Sequence, residues 1–107
     1  MTYTVEQLSP DRARLRGVMR LESATAYEIA FAPVRAAMLA TPGTYTIELA
    51  ELTLMNSLGI RALGMLVLAA AEAKTVLVLR GSTQVPWQVK TVWSLRALHP
   101  QLSIQLA

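Results

Sequence analysis

The sequence has no cysteine, which excludes disulfides, thiolate nucleophiles and any cysteine-ligated metal. It has one histidine, His99, with no carboxylate near it in sequence, so a histidine-based catalytic pair is not supported. Charged residues are scarce, 16% against 53% hydrophobic, and a disordered chain is excluded by that balance. Long apolar runs are missing too. The longest uncharged one, Ala62 to Ala71, is about half of what a membrane-crossing helix needs, so no membrane insertion is expected. Met-Thr-Tyr-Thr-Val-Glu at the start has neither a basic region nor an apolar core, and a signal peptide is not expected. What remains is the composition of a soluble, cytoplasmic domain. Its 107 residues suit one domain, 1–107, that can bury a core without staples.

The net charge is +3, and Arg12, Arg14 and Arg16 alternate. On a strand they share one face while Ala13 and Leu15 share the other. Such a stripe suits an anionic partner, but no aromatics interleave with it to stack bases, so direct nucleic-acid binding is not expected. The simpler reading is the solvated face of an outer strand whose arginines discourage edge pairing.

Alternation predicts a strand from Thr2 to Leu8, a turn at Ser9-Pro10-Asp11 and an antiparallel partner from Ala13 to Met19. Ser23 to Leu39 reads as a helix with Ala26, Ile29, Ala30, Val34, Ala37 and Met38 inward, Ser23 or Thr25 as N-cap, and a kink or break at Phe31 to Pro33. Tyr45 to Leu49 is a strand, and Leu52 to Met55 extends it or forms a second short piece. A helix from Leu58 to Ala73 follows. Thr75 to Leu79 reads as a strand buried on both faces, Val85 to Leu98 as a helix with Val89, Val92, Trp93 and Leu98 in the core, and Leu102 to Leu106 as a last strand. The order implies an α/β fold: a mixed sheet with an N-terminal antiparallel hairpin, parallel neighbours beyond it, and three to four helices covering it.

The most informative stretch is Asn56-Ser57-Leu58-Gly59, where a strand runs into the second helix without a linker. Backbone N–H groups and the helix dipole favour negative charge there, so a hydroxyl in that turn is well placed to carry a phosphate. Asn56 and Ser57 are also favoured N-caps, which alone would explain them. On the second helix, Ile60, Leu63, Val67, Ala70 and Ala71 are expected to face the sheet, and Arg61, Met65, Leu68 and Glu72 to face away. Met65 and Leu68 would then be apolar groups on an outer face, as on a docking surface. Gly59 and Gly64 lack the lysine and spacing of a phosphate loop. Trp87 and Trp93 read as helix packing, and His99 as a helix-end residue. No cofactor and no metal site are indicated, and nothing beside Ser57 would activate it for catalysis.

The strand Tyr45 to Leu49, the turn Asn56-Ser57-Leu58-Gly59, Gly17-Val18-Met19-Arg20-Leu21 and the order of elements together resemble a STAS domain of the anti-sigma-factor antagonist type. The resemblance covers nearly the whole chain. The family's usual turn is Asp-Ser-Ser-Gly or Asp-Ser-Thr-Gly, and its first loop has Gly-Glu-Leu-Asp-Leu. Here Asn56 stands for the usual Asp, Leu58 for the second hydroxyl residue and Arg20 for the loop Asp. The resemblance implies a non-enzymatic regulatory module. Its partner would be an anti-sigma factor or related serine kinase that phosphorylates Ser57, and a PP2C-type phosphatase would reverse the modification. Partner-binding residues would be Arg20, Asn56, Ser57, Leu58, Gly59, Arg61, Met65 and Leu68. STAS domains also serve as subunits of lipid ABC transporters, clamping the ATPase, which is the alternative that the same resemblance allows. The sequence does not indicate an oligomeric state.

Overall fold

The structure, a computed structural model, describes residues 2–107. Strands β1 (Tyr3–Ser9) and β2 (Arg12–Met19) form the expected antiparallel hairpin, and β2 buries Ala13, Leu15 and Met19 while Arg12 and Arg16 stay exposed. Helix α1 (Ala24–Ala40) is capped by the Ser23 side chain, which accepts from the Ala26 N–H at 3.0 Å. Pro33 does not break this helix, which runs on for 17 residues. The ring removes the N–H that would bond the Ile29 carbonyl, and Ile29 is 71% exposed, so water can satisfy that oxygen. Val34 and Met38 are buried as expected and Ala30 and Ala37 pack at the margin of the core, but Ile29 points out and Tyr27 and Phe31 take its place. Tyr27, Phe31, Val34 and Met38 form the buried face, with the Tyr27 and Phe31 rings 5.7 Å apart, because the larger side chains remove more apolar surface from water.

Strand β3 (Thr44–Glu48) and strand β4 (Leu52–Met55) are separate pieces. Both pair in parallel with β2, β3 along Arg12 to Arg14 and β4 along Gly17 to Met19, with a register shift at Gly17, whose φ is +91°. Helix α2 (Ser57–Glu72), strand β5 (Val76–Gly81), helix α3 (Pro86–Thr91) and strand β6 (Ser103–Leu106) follow. The sheet order is β1-β2-β3-β5-β6, with β4 beside β2 and every contact beyond the hairpin parallel. The fold is thus α/β, a mixed sheet with an antiparallel N-terminal hairpin, and it carries three α-helices among the described residues.

Burial alternates along β2, β3 and β5, so one face of the sheet meets the helices and the other is open. Tyr45, Ile47, Leu77 and Leu79 are fully buried, whereas Val76 is 44% exposed; β5 is not buried on both faces as expected. The predicted third helix splits as well. After α3 the chain tightens into a 3-10 helix, Val92–Ala97, whose three-residue repeat turns Val92 and Leu95 inward. Val89, Trp93 and Leu98, expected in the core, are each at least 40% exposed. His99 follows the end of the 3-10 helix, as expected, and is buried; its Nε2 lies 3.0 Å from the Thr75 carbonyl, which accepts the ring proton. Among the described residues no helix is long and apolar enough to cross a membrane.

Candidate functional site

The turn between β4 and α2 is held by Asn56, whose extended backbone makes it the N-cap of α2. Its Oδ1 accepts from the Gly59 N–H at 3.0 Å and from the Tyr27 hydroxyl at 2.6 Å, while Nδ2 donates to the Leu21 carbonyl at 3.0 Å. The Asn56 backbone N–H donates to the Met19 carbonyl at 3.1 Å. Asn56 is therefore a capping residue, and more: it ties α2, α1 and the β2–α1 loop together. Tyr27, which the sequence did not single out, supplies the hydroxyl at the centre of this arrangement. Burial pushes its phenol up from the usual range, so it stays protonated at neutral pH.

Gly59 packs under Tyr27. A Cβ at this position would sit 2.7 Å from the Tyr27 hydroxyl and would also run into Met55 Cγ. Ser57, the first residue of α2, is exposed and takes no part in the Asn56 network; Leu58 beside it is half-buried against the core. Arg20 is exposed and is flanked by Met19 and Leu21, both of which bond residue 56, so the fold brings Arg20 and Ser57 to the same corner.

Further along α2, Leu63, Val67 and Ala70 are buried as expected, and Ile60 and Ala71 half-buried. Arg61 is exposed and Met65 is 61% exposed. Leu68 is not fully outward as expected but half-buried. The 3-10 segment approaches this helix, with Leu98 Cδ1 3.3 Å from where a Cβ on Gly64 would lie. The outer surface of α2 is thus narrower than its sequence suggested, centred on Arg61 and Met65.

The arginine stripe lies elsewhere, on the open sheet face, and is matched by carboxylates. Arg12 and Arg80 reach Glu48 at 3.4 and 3.3 Å, Arg14 reaches Glu6 at 3.3 Å, and Arg16 approaches Glu6 and Glu51 at 3.6 and 3.7 Å. The hydrogen bond from Arg14 holds the Glu6 carboxyl below its usual range, and Glu6 in turn raises Arg14. Strand β2 lies between β1 and β3, so its arginines do not guard an edge, contrary to the outer-strand reading. Two open depressions of about 270 and 210 Å³ lie here beside Leu8 and Arg12, not at the Ser57 turn.

A second polar cluster went unnoticed in the sequence. Gln88 is fully buried; its Oε1 accepts from the Ser82 N–H at 2.8 Å, and its Nε2 donates to the Leu49 and Leu52 carbonyls at 2.6 and 3.1 Å. Trp87 Nε1 adds a bond to Leu52 at 2.8 Å. These side chains bond the carbonyls flanking the β3–β4 turn and lock α3 beneath it. Trp87 is thus packing with a polar handle, partly as expected. A glutamine among apolar helix positions is the only trace this cluster leaves in the sequence.

Among the described residues no group of three metal-ligating side chains converges. No protein-family model and no curated protein matches the chain.

Proposed function

We propose that this chain is a STAS-type regulatory binding module, acting in the cytoplasm as an anti-sigma-factor antagonist and not as an enzyme. The observation that carries the reading is the exposed Ser57 at the first position of α2, beside the Asn56 cap and on a mixed sheet with the expected antiparallel hairpin. A partner docks on the Ser57 turn and on Arg61 and Met65 of α2. A serine kinase, the anti-sigma factor itself, phosphorylates Ser57, and a PP2C-type phosphatase removes the group. Phosphate at that position adds up to about two negative charges at a helix N-terminus, which the helix tolerates and an apolar or acidic partner surface does not. One modification then ends the complex and leaves the fold intact.

The test is affinity capture from the native host with wild type and with Ser57→Asp. A kinase-like regulator held by wild type and lost by Ser57→Asp is the expected result. Identical partners on both baits would remove the switch, and an ABC ATPase among them would favour the transporter alternative. Because Arg20 shares the corner, it pairs with phosphoserine 57 in the modified form. Arg20→Ala is expected to destabilise the phosphorylated protein by roughly 0.5–1 kcal/mol more than the unmodified one, as for an exposed ion pair. Equal losses in thermal unfolding of the two forms would refute that pairing.

A further inference from the structure

The corner that holds Arg20 and Ser57 is assembled from two segments far apart in the chain, and one phenol and one amide join them. From a fully buried ring, the Tyr27 hydroxyl lies 2.6 Å from Asn56 Oδ1, 3.1 Å from the Met19 carbonyl and 3.4 Å from the Leu21 N–H. Its single proton goes to the nearer Asn56 oxygen or to Met19, and its lone pair meets Leu21. Asn56 reaches back across the same gap to Leu21 and Met19.

We infer that Tyr27 is a positioning residue: with Asn56 it latches the loop carrying Arg20 onto the head of α2, so that Arg20 and Ser57 form one preformed patch. This rests on the proposed role of the Ser57 turn in docking, although the latch itself is measurable without a partner. Asparagine is the side chain that closes it. Aspartate would still accept from Gly59 and Tyr27, but it would turn an oxygen, not an N–H, toward the Leu21 carbonyl. Capping and latching are therefore separable functions of position 56. The α2 cap survives with either residue, and only asparagine gives the loop the side-chain bond to the Leu21 carbonyl.

Amide hydrogen exchange on the free protein tests this. In Tyr27→Phe, which keeps the buried ring, the Leu21 and Asn56 amides are expected to exchange about tenfold faster, the loss of one buried hydrogen bond, with Ile47 and Leu79 in the sheet unchanged. In Asn56→Asp the same two amides accelerate while Gly59, still capped, stays protected. Unchanged exchange at Leu21 and Asn56 in both variants would overturn the latch. Uniform acceleration reaching Ile47 and Leu79 would also overturn it, making both residues ordinary contributors to stability. If the latch opens in these variants but they still capture the wild-type partner, the latch stands and the docking role of the turn falls.

Discussion

Gln88→Glu is expected to lower stability by about 3 kcal/mol at neutral pH, with most of that loss recovered in acid. The substitution is nearly isosteric, so packing is kept and only the donor is removed. Oε1 can still accept from Ser82, but the second oxygen would face the Leu49 and Leu52 carbonyls, which Nε2 now meets at 2.6 and 3.1 Å. Neither carbonyl is orphaned, since Leu49 also accepts from the Leu52 N–H and Leu52 from Trp87. The penalty is thus the burial of a carboxylate against two oxygens. Burial raises the folded-state pKa of such a group above its unfolded value of about 4.3. Below that unfolded value both states hold the proton, and the neutral acid can donate one bond. Above it the unfolded chain ionises first and stability falls until the folded pKa is reached. Urea unfolding of wild type and variant at pH 4 and pH 7 checks this; a pH-independent difference would show that the carboxyl escapes to solvent.

Gly59→Ala is the second large effect, and its direction is decided by two opposed terms. Alanine in a helix is better than glycine by about 1 kcal/mol. Against that, the new methyl would lie 2.7 and 2.8 Å from the hydroxyl and ring carbon of Tyr27, which is buried and cannot swing away. Overpacking costs about 1–3 kcal/mol, and displacing Tyr27 or the turn also strains the Asn56 cap, worth about 1 kcal/mol more. The net expectation is a loss of roughly 2 kcal/mol in chemical denaturation. A neutral or stabilising result would mean that the ring relaxes freely. Pairing Gly59→Ala with Tyr27→Phe should be markedly non-additive, because the two sites touch.

The sequence carried the elements well because their signals are local. Alternation through Val5 to Leu15 marks the hairpin, and the strand that breaks at Asn56 marks the head of α2. Facing is less legible. Ile29 looks like a core residue by spacing and hydrophobicity, yet Tyr27 and Phe31 outcompete it for the sheet. Val89, Val92 and Trp93 share one face at a 3.6-residue period, but the chain tightens after Thr91, and the three-residue repeat keeps Val92 inward with Leu95 and leaves Trp93 out. For the site, Asn56 and Ser57 could be placed at a helix start from four residues. The partners of Asn56 could not, because Leu21 and Tyr27 are 35 and 29 residues away and nothing in their own neighbourhood marks them. Gln88 is a similar case, since its acceptors lie 36 and 39 residues back.

Fastening the head of α2 with an amide leaves residues 52 to 60 without any ionisable side chain. Arg20, between the two residues that bond Asn56, brings a positive charge to this corner. A phosphoryl group on Ser57 would therefore not deepen an existing negative potential, as it would beside an aspartate. The net charge of the Arg20–Ser57 pair would go from about +1 to about −1. A surface that changes polarity offers a reader two distinct states: one binder can select the cationic corner and another the anionic one. The neutral amide leaves that contrast to two groups alone, the guanidinium and the phosphoryl group, and only the second of these titrates near neutrality.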